Sequence, residues 1–454
     1  MDGRQRKVFF SGIAGNGVSA LAVFMADKGH IVFGSDRTFD KTPQHFLKTA
    51  FESRGITIVP QDGKVIDNTF NLVVFSTAVE PNSPEYKKAE DNRVPVKTRP
   101  DFLNELSTSY KTIAISGTSG KSTAAGLLAF LMSRLGLKPN FIGGGRVKQF
   151  KTPVNPGNSL SGESDYLVME ACESDGSIIN YRPRHSIILN LALDHHPVEQ
   201  TSRMFRTLIE KTEEEVIING DDKNLKGLKG GQAVTFSIQG SSPYHAELIS
   251  FNPFSTDFTL HGMRFSLSLP GIYNLYNALS CIAFLSERGI PLDEIVPVLP
   301  EFQGIDRRFD IHLNDGEKLV IDDYAHNPHK ISSLMSAVKR IREEICYIFQ
   351  PHGFGPTRMM KKEYMETFIN CLRTSDHLIL LPIFYAGGTA VGDISSYDLA
   401  EGIKARGKSV AAVRERIGIF KNLHKYKTYV IFGARDDTLS ELARDVAGAL
   451  SMEG

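Results

Sequence analysis

Short apolar runs that end in glycine recur along this chain, each followed by a stretch with helical spacing. That alternation predicts parallel sheets covered by helices, an α/β fold. Residues 8–10 form the first run, which meets Gly12, Gly15 and Gly17 before a helix that reaches about Lys28. Residues 31–33 predict a strand ending in Gly34-Ser35-Asp36, and residues 71–79 another that ends in a Ser76-Thr77-Ala loop. Pro81, Pro84, Pro95 and Pro100 punctuate the exit, and a domain boundary is expected at 107–109. Residues 112–115 are a β-branched apolar run that breaks at Gly117 and Gly120, and a helix opens at Ser122. Strands are expected again at 166–169, at 185–190 and within 213–222. From about 231 to 269 the pattern turns to period two, which predicts an antiparallel β insertion with one buried face. A helix opens after Pro270, and a short one spans 291–299. Strands at 318–323, 345–350, 377–381 and 428–433 then alternate with helices at 331–342, 365–372 and 397–406, a second doubly wound sheet. The expected architecture is three domains, a Rossmann-like 1–108, a P-loop ATPase-type 109–310 carrying the insertion, and a Rossmann-like 311–454.

A length of 454 residues agrees with about three domains. Lys plus Arg and Asp plus Glu each number 52, so bulk charge favours neither a nucleic-acid nor a membrane partner. Cys172, Cys281, Cys346 and Cys371 are scattered without C-x-x-C spacing, which fits a reducing compartment and no zinc site. The apolar run after Lys7 is too short for a signal-peptide core and no run approaches a membrane span, so a cytoplasmic protein is expected.

The richest chemistry lies in Gly117-Thr118-Ser119-Gly120-Lys121-Ser122-Thr123. Strand, glycine turn and helix make a phosphate cradle, in which backbone N–H groups and a helix N-terminus face an anion. Lys121 reaches the terminal phosphates of ATP there, and the Ser122 and Thr123 hydroxyls serve Mg²⁺. Glu170 ends the 166–169 strand, with Glu173 and Asp175 just beyond, either as magnesium ligands or as a solvated acidic loop. Asp194-His195-His196 follows another strand end, where His195 is either structural or a metal or phosphate ligand. In the first segment Asp36 stands where a dinucleotide fold bonds a ribose hydroxyl, although the glycines alone also fit an ordinary βα turn. Asn274 and Asn277 open a helix, either to read a purine edge or to cap it.

Taken together these motifs resemble the Mur ligase family, the ATP-dependent ligases of peptidoglycan precursor synthesis. Gly12-Ile-Ala14-Gly15-Asn16-Gly17 and Gly34-Ser35-Asp36 look like its uridine-nucleotide domain, and 117–123 matches its G-T-x-G-K-[ST]-T loop. Residues 170–177 resemble the acidic stretch of its alanine-adding branch, and Asn190 with Asp194-His195 its N-x-x-x-D-H. Residues 304–309, 323–328 and 349–352 complete the series. The resemblance implies a substrate carboxylate that takes the ATP γ-phosphoryl group, then an amine that displaces phosphate from the acyl phosphate. It implies catalytic Lys121, Glu170, His195 and His326, and two Mg²⁺ ions held by Ser122, Thr123, Glu170 and His195. Asn274, Asn277, Arg308 and Asp323 would join the 117–123 loop around ATP. Gly12, Ala14, Gly15, Asn16, Gly17, Ser35, Asp36, Ser76 and Thr77 would bind UDP-N-acetylmuramate. His352 and Arg358 would bind an amino-acid or peptide acceptor, in a monomer or homodimer whose domain closure assembles the site.

Three departures bear on that reading. No lysine clearly aligns after His195 to become the carbamate of some branches, a residue the alanine-adding branch also generally lacks. Cys172 stands where the family has Asp, and Gly353 and Pro356 stand where the alanine-adding branch has arginines. Glycine cannot replace a bidentate Arg–carboxylate contact. The acceptor is therefore open between an amino acid and the tripeptide of the recycling branch. Outside the class stand a nicotinamide oxidoreductase and a nucleotide-binding protein without ligase activity.

Overall fold

The computed structural model describes residues 4–42, 44–194, 196–228, 233–385 and 392–452, with the side chains of Leu248, Lys421, Asn422 and His424 outside the description. His195 and the start of the expected 231–269 segment lie outside the described residues. The chain divides into two compact units, Met1–Ile305 and Asp306–Gly454.

The first unit holds three sheets among the described residues, and two of them explain the early apolar runs. A five-stranded parallel sheet has the spatial order Thr57–Ile58, Ile31–Ser35, Lys7–Ser11, Leu72–Phe75, Val96–Thr98. Leu72–Phe75 is buried throughout, as a central strand covered on both faces must be. The helix Asn16–Asp27 returns from Lys7–Ser11 and buries Val18 to Met25. An eight-stranded sheet runs Tyr244–His245, Ala233–Ser237, Val216–Asn219, His185–Ile188, Lys111–Ser116, Tyr166–Glu170, Asn140–Ile142, Ser159–Leu160, and only the last pairs antiparallel. Lys111–Ser116 thus lies between the strands that end at Glu170 and at Ile188, and the loop after it opens at their carboxyl edge. That edge is where open α/β sheets bind ligands.

The period-two stretch is corrected in part. Ala233–Ser237 and Tyr244–His245 extend the parallel sheet, and only Glu247–Phe251, Thr256–Leu260 and Met263–Leu267 form the antiparallel insertion. Ala233–Ser237 lies next to the sheet's edge and is only partly covered, so its alternation mimics an antiparallel strand. The expected 291–299 helix is the short Leu292–Ile295 followed by a 3₁₀ turn, Leu299–Glu301.

The second unit is one six-stranded sheet, ordered Asp310–Asn314, Leu319–Asp323, Thr428–Gly433, Cys346–Gln350, His377–Leu380, Val410–Ala412. Only its first pair is antiparallel. Its first helix is Pro328–Lys339, three residues earlier than the apolar spacing suggests. Asn327 accepts the Lys330 N–H and Pro328 fills the first turn, a start signal stronger than the periodicity. The helices Phe354–Met359, Lys361–Cys371 and Ser396–Lys404 follow. Among the described residues no helix is long and apolar enough to cross a membrane.

Candidate active site

The phosphate loop joins Lys111–Ser116 to the helix Lys121–Arg134. Gly120 has φ +89, and a Cβ there would lie 2.5 Å from Asn277 Oδ1, so a side chain at this position is strained in its backbone and displaces Asn277. The Asn190 side chain clamps the loop by accepting the Ser119 N–H at 2.9 Å and donating to the Ser119 carbonyl at 2.8 Å. Thr118 Oγ1 accepts the Ala192 N–H at 2.9 Å, a second tie to the neighbouring strand end.

Lys121 Nζ donates to the Gly117 carbonyl at 2.6 Å and to Glu173 Oε2 at 2.9 Å. Glu173 is buried, so it serves as the lysine's counter-ion and not as part of a solvated loop. Asp175 is also engaged, accepting from Arg99 at 2.9 Å and from the Ser177 N–H at 3.0 Å. Ser122 Oγ donates to Glu170 Oε2 at 3.0 Å, and Glu170 Oε1 accepts the Gly144 N–H at 2.5 Å. Ser122 and Glu170 therefore present two hard oxygen donors at the helix start, a donor set that suits Mg²⁺. Thr123 follows half-buried in the same turn, and Cys172 Sγ lies 3.0 Å from Ser174 Oγ.

Beside the loop a cavity of about 240 Å³ is lined by Ser119, Gly120, Asn190, Asn219, Asp221, Tyr276 and Asn277, among others. Asp221 accepts N–H groups of Ile238, Gln239 and Gly240 and the Tyr276 hydroxyl. Burial raises its pKa, but these donors together bring it below the usual carboxylate range. Asn277 faces this cavity, whereas Asn274 donates to the Pro270 carbonyl at 2.8 Å.

At the first sheet, Gly12 has φ +77 and a Cβ would meet Ser76 Cβ at 2.8 Å, so glycine lets the two loops touch. Asp36 accepts the Ala14 N–H at 3.0 Å and the Thr38 N–H at 2.9 Å, which binds the glycine loop to the next helix. The Ser35 carbonyl accepts the Gly12 N–H at 2.9 Å, and the Ser76 N–H donates to the Ser11 carbonyl at 3.0 Å. The Gly15 N–H closes onto the Gly12 carbonyl at 3.2 Å. Asn16 accepts from Arg146 at 3.1 Å through Oδ1 and from Asn158 at 2.7 Å through its carbonyl. A Cβ on Gly17 would meet Arg99 Cδ at 2.9 Å. Thr77 continues the Ser76 turn as an exposed residue. Beneath the loop, buried Glu85 accepts the Ser11 and Ser35 hydroxyls, and burial holds its carboxyl above the usual range. Glu85, Arg99, Arg146 and Asn158 escape the motif reading, since no local spacing links them to the glycines.

The second unit gathers its polar residues at the carboxyl edge of its sheet. Asp323 accepts the Phe309 N–H at 2.7 Å and the Ala325 N–H at 2.8 Å, and burial raises its pKa against the pull of Arg308. Arg308 sits over the Tyr324 ring at 5.3 Å. His326 Nδ1 lies 2.9 Å from the Tyr324 carbonyl, so that nitrogen carries the proton and Nε2 keeps its lone pair. Burial, more than nearby cations, lowers the His326 pKa to about 4, and the ring is neutral at pH 7. The His326 and His352 rings meet edge to face at 5.4 Å. His352 Nδ1 is buried without a partner among the described residues, and burial, then Arg435, keeps its pKa low. Arg358 pairs with Asp393. Gly353 has φ +68 and begins the helix Phe354–Met359, with Pro356 packed 3.2 Å from where a Cβ would stand. The two departures from the arginine pattern are thus one turn.

Three family descriptions match the chain in order: "Mur ligase family, catalytic domain" over 7–111, "Mur ligase middle domain" over 115–285, and "Mur ligase, glutamate ligase domain" over 307–435. The UDP-N-acetylmuramate–L-alanine ligase of Fusobacterium nucleatum is 31% identical over 471 residues, covering 98% of this chain and 97% of its own. That of Psychrobacter arcticus is 30% identical over 445 residues, covering 91% and 90%. The crystal structure of UDP-N-acetylmuramate–alanine ligase from Thermotoga maritima superposes with a TM-score of 0.80 at 25% identity, covering 99% of this chain and 100% of that one. A murein peptide ligase from Psychrobacter arcticus shares the fold, with a TM-score of 0.69 at 21% identity over 98% of both chains. The chain belongs to the Mur ligase family and is an ATP-dependent ligase.

Proposed function

We propose that this Mur ligase joins the carboxylate of UDP-N-acetylmuramate to the amine of L-alanine, converting ATP to ADP and phosphate. The observation that carries the reading is the clamped loop, with Lys121 and the Ser122–Glu170 pair at one helix start. Relatives aligned nearly end to end and named for that reaction support it.

In the first step a carboxylate oxygen attacks the γ-phosphorus and ADP leaves, giving an acyl phosphate. The loop's N–H groups and Lys121 stabilise charge on the transferring group, a contribution on the order of 10²–10³-fold in rate per well-aimed donor. Ser122, Thr123, Glu170 and His195 would hold Mg²⁺, which supplies charge neutralisation on the phosphates when bound. We assign the 240 Å³ cavity with Asn277, lined within the first unit, to the base of ATP. Gly12, Ala14, Gly15, Asn16, Gly17, Ser35, Asp36, Ser76 and Thr77 are assigned to the UDP-sugar. In the second step the neutral amine attacks the acyl carbon, phosphate leaves and an amide remains. His326 Nε2, holding its lone pair at pH 7, accepts a hydrogen bond from that amine. His352 and Arg358 are assigned to the acceptor.

A second reading takes a tripeptide as acceptor. The Gly353–Pro356 turn favours it, because that turn offers no side-chain cation for a free amino acid's carboxylate. Phosphate release from ATP with UDP-N-acetylmuramate, screened with L-Ala, Gly, L-Ser and L-Ala-γ-D-Glu-diaminopimelate, separates the readings. Release with L-Ala and a product of matching mass is expected. Release with the tripeptide alone would establish the second reading, and silence with every acceptor would refute both.

A further inference from the structure

An amino-acid acceptor carries a carboxylate one carbon from its attacking amine, and a site beside His326 needs a cation to receive it. The guanidinium groups along this sheet edge are mostly committed. Arg307 is buried, donating to Asp322 at 3.2 Å and to the carbonyls of Gly433 and Asp436. Arg416 pairs with Asp436, and Arg358 with Asp393. Arg308 lies on the Tyr324 ring beside Asp323.

Arg435 differs. Its side chain is exposed and, among the described residues, makes no ion pair or side-chain hydrogen bond. Its backbone has φ +68, a left-handed conformation that an L side chain adopts at a cost. The neighbouring strands are in register at Gln350 and Gly433, so His352 and Arg435 each leave the sheet two residues past a paired position. The Arg435 N–H donates to the Tyr324 hydroxyl at 3.2 Å, and the Tyr324 ring meets His326 at 5.7 Å. A cation held at a strained position, next to the two histidines and free of any carboxylate, is suited to a carboxylate from outside.

We propose that Arg435 binds the α-carboxylate of the acceptor and so selects a free amino acid over a peptide or an amide. The inference rests on the ligase reading given above. It also accounts for how an amino acid can be held although Gly353 and Pro356 carry no charge. In a peptide the group next to the attacking amine is a neutral amide carbonyl, which gains little from a guanidinium.

The test measures ADP release with UDP-N-acetylmuramate and ATP, using L-alanine and L-alaninamide as acceptors, for the parent, R435A, R435K and R435G. The parent should prefer L-alanine. R435A and R435G should lose about 10- to 100-fold in kcat/KM for L-alanine, through KM, and far less for the amide. R435K should recover part of the loss, and the KM for ATP should hold within about twofold. R435G relieves the backbone, so its melting temperature should equal or exceed the parent's even as acceptor binding weakens. Equal losses for acid and amide, an unchanged preference, or a loss carried by ATP would each overturn the assignment while the ligase reading stands. A parent active only with the tripeptide would also overturn it. A parent silent with every acceptor would remove the ligase reading itself.

Discussion

Around the phosphate loop the Lys121 and Ser122 side chains already have partners, Glu173 and Glu170, and Ser119 and Thr118 are tied to the strand end at Asn190 and Ala192. The carboxyl edge of the second unit differs at two positions, where His352 Nδ1 is buried and unpartnered and Arg435 is unpaired among the described residues. The difference follows from the two tasks. Phosphoryl transfer depends on charges fixed in advance, so that little reorganises as the transition state forms. Recognition of an acceptor depends on groups whose partner arrives with the ligand, and such groups stand unsatisfied until then.

The largest test of this contrast is Lys121→Ala. It should abolish acceptor-dependent ADP formation, a loss of more than about 10³-fold, with UDP-N-acetylmuramate affinity by calorimetry nearly unchanged. Near-normal turnover would break the comparison at its stronger end. His326→Gln should lower kcat by about 10²-fold with little change in the KM for ATP, read from initial rates at saturating acceptor. The same variant isolates a pH effect. His326 titrates near 4 when folded and near 6.5 when unfolded, so its contribution is complete above 6.5 and is lost as pH falls toward 4. The stability difference between parent and His326→Gln should shrink by roughly 2–3 kcal/mol over that window in urea titrations. Taking the difference cancels the opposing contribution of Asp322, whose pKa is raised by burial to about 6. Glu173→Gln should destabilise the unliganded protein by about 2 kcal/mol by leaving Lys121 without its counter-ion. It should bind ATP at least as tightly as the parent, because the phosphates no longer compete with a carboxylate for the lysine.

What could be read from the sequence tracks the same divide. Gly117, Gly120, Lys121 and Ser122 are neighbours along the chain, so spacing alone predicts the strand–turn–helix that holds them. The parallel sheets were equally legible, because buried strands are continuous apolar runs. Glu173 was not, since its role as counter-ion depends on a partner 52 residues away. Glu85 under the glycine loop and Arg146 on Asn16 are long-range pairings of the same kind. Arg435 gave no motif signal at all; only its backbone conformation and the register of two parallel strands bring it beside the histidines. At Ala233–Ser237 the failure was one of period, because a partly covered strand near a sheet edge alternates whether its neighbours are parallel or antiparallel.

The smallest effect expected separates two asparagines that the sequence treats alike. Asn274 spends its amide on the Pro270 carbonyl at the start of its helix, and Asn277 faces the cavity beside Gly120. If those are their tasks, Asn274→Ala loses its hydrogen bond to Pro270 and the long one it accepts from Asn277 Nδ2 at 3.5 Å, together about 0.5–1.5 kcal/mol in a thermal melt, and leaves the KM for ATP within about twofold. Asn277→Ala should instead raise that KM severalfold, because its amide lines the space assigned to the base. It should also make Gly120→Ala less damaging, since the atom that a Gly120 Cβ would strike at 2.5 Å is Asn277 Oδ1. The backbone at φ +89 would still oppose the alanine, so the relief should be partial. A KM for ATP that rises with Asn274→Ala and not with Asn277→Ala would move the base to the other face of the helix start.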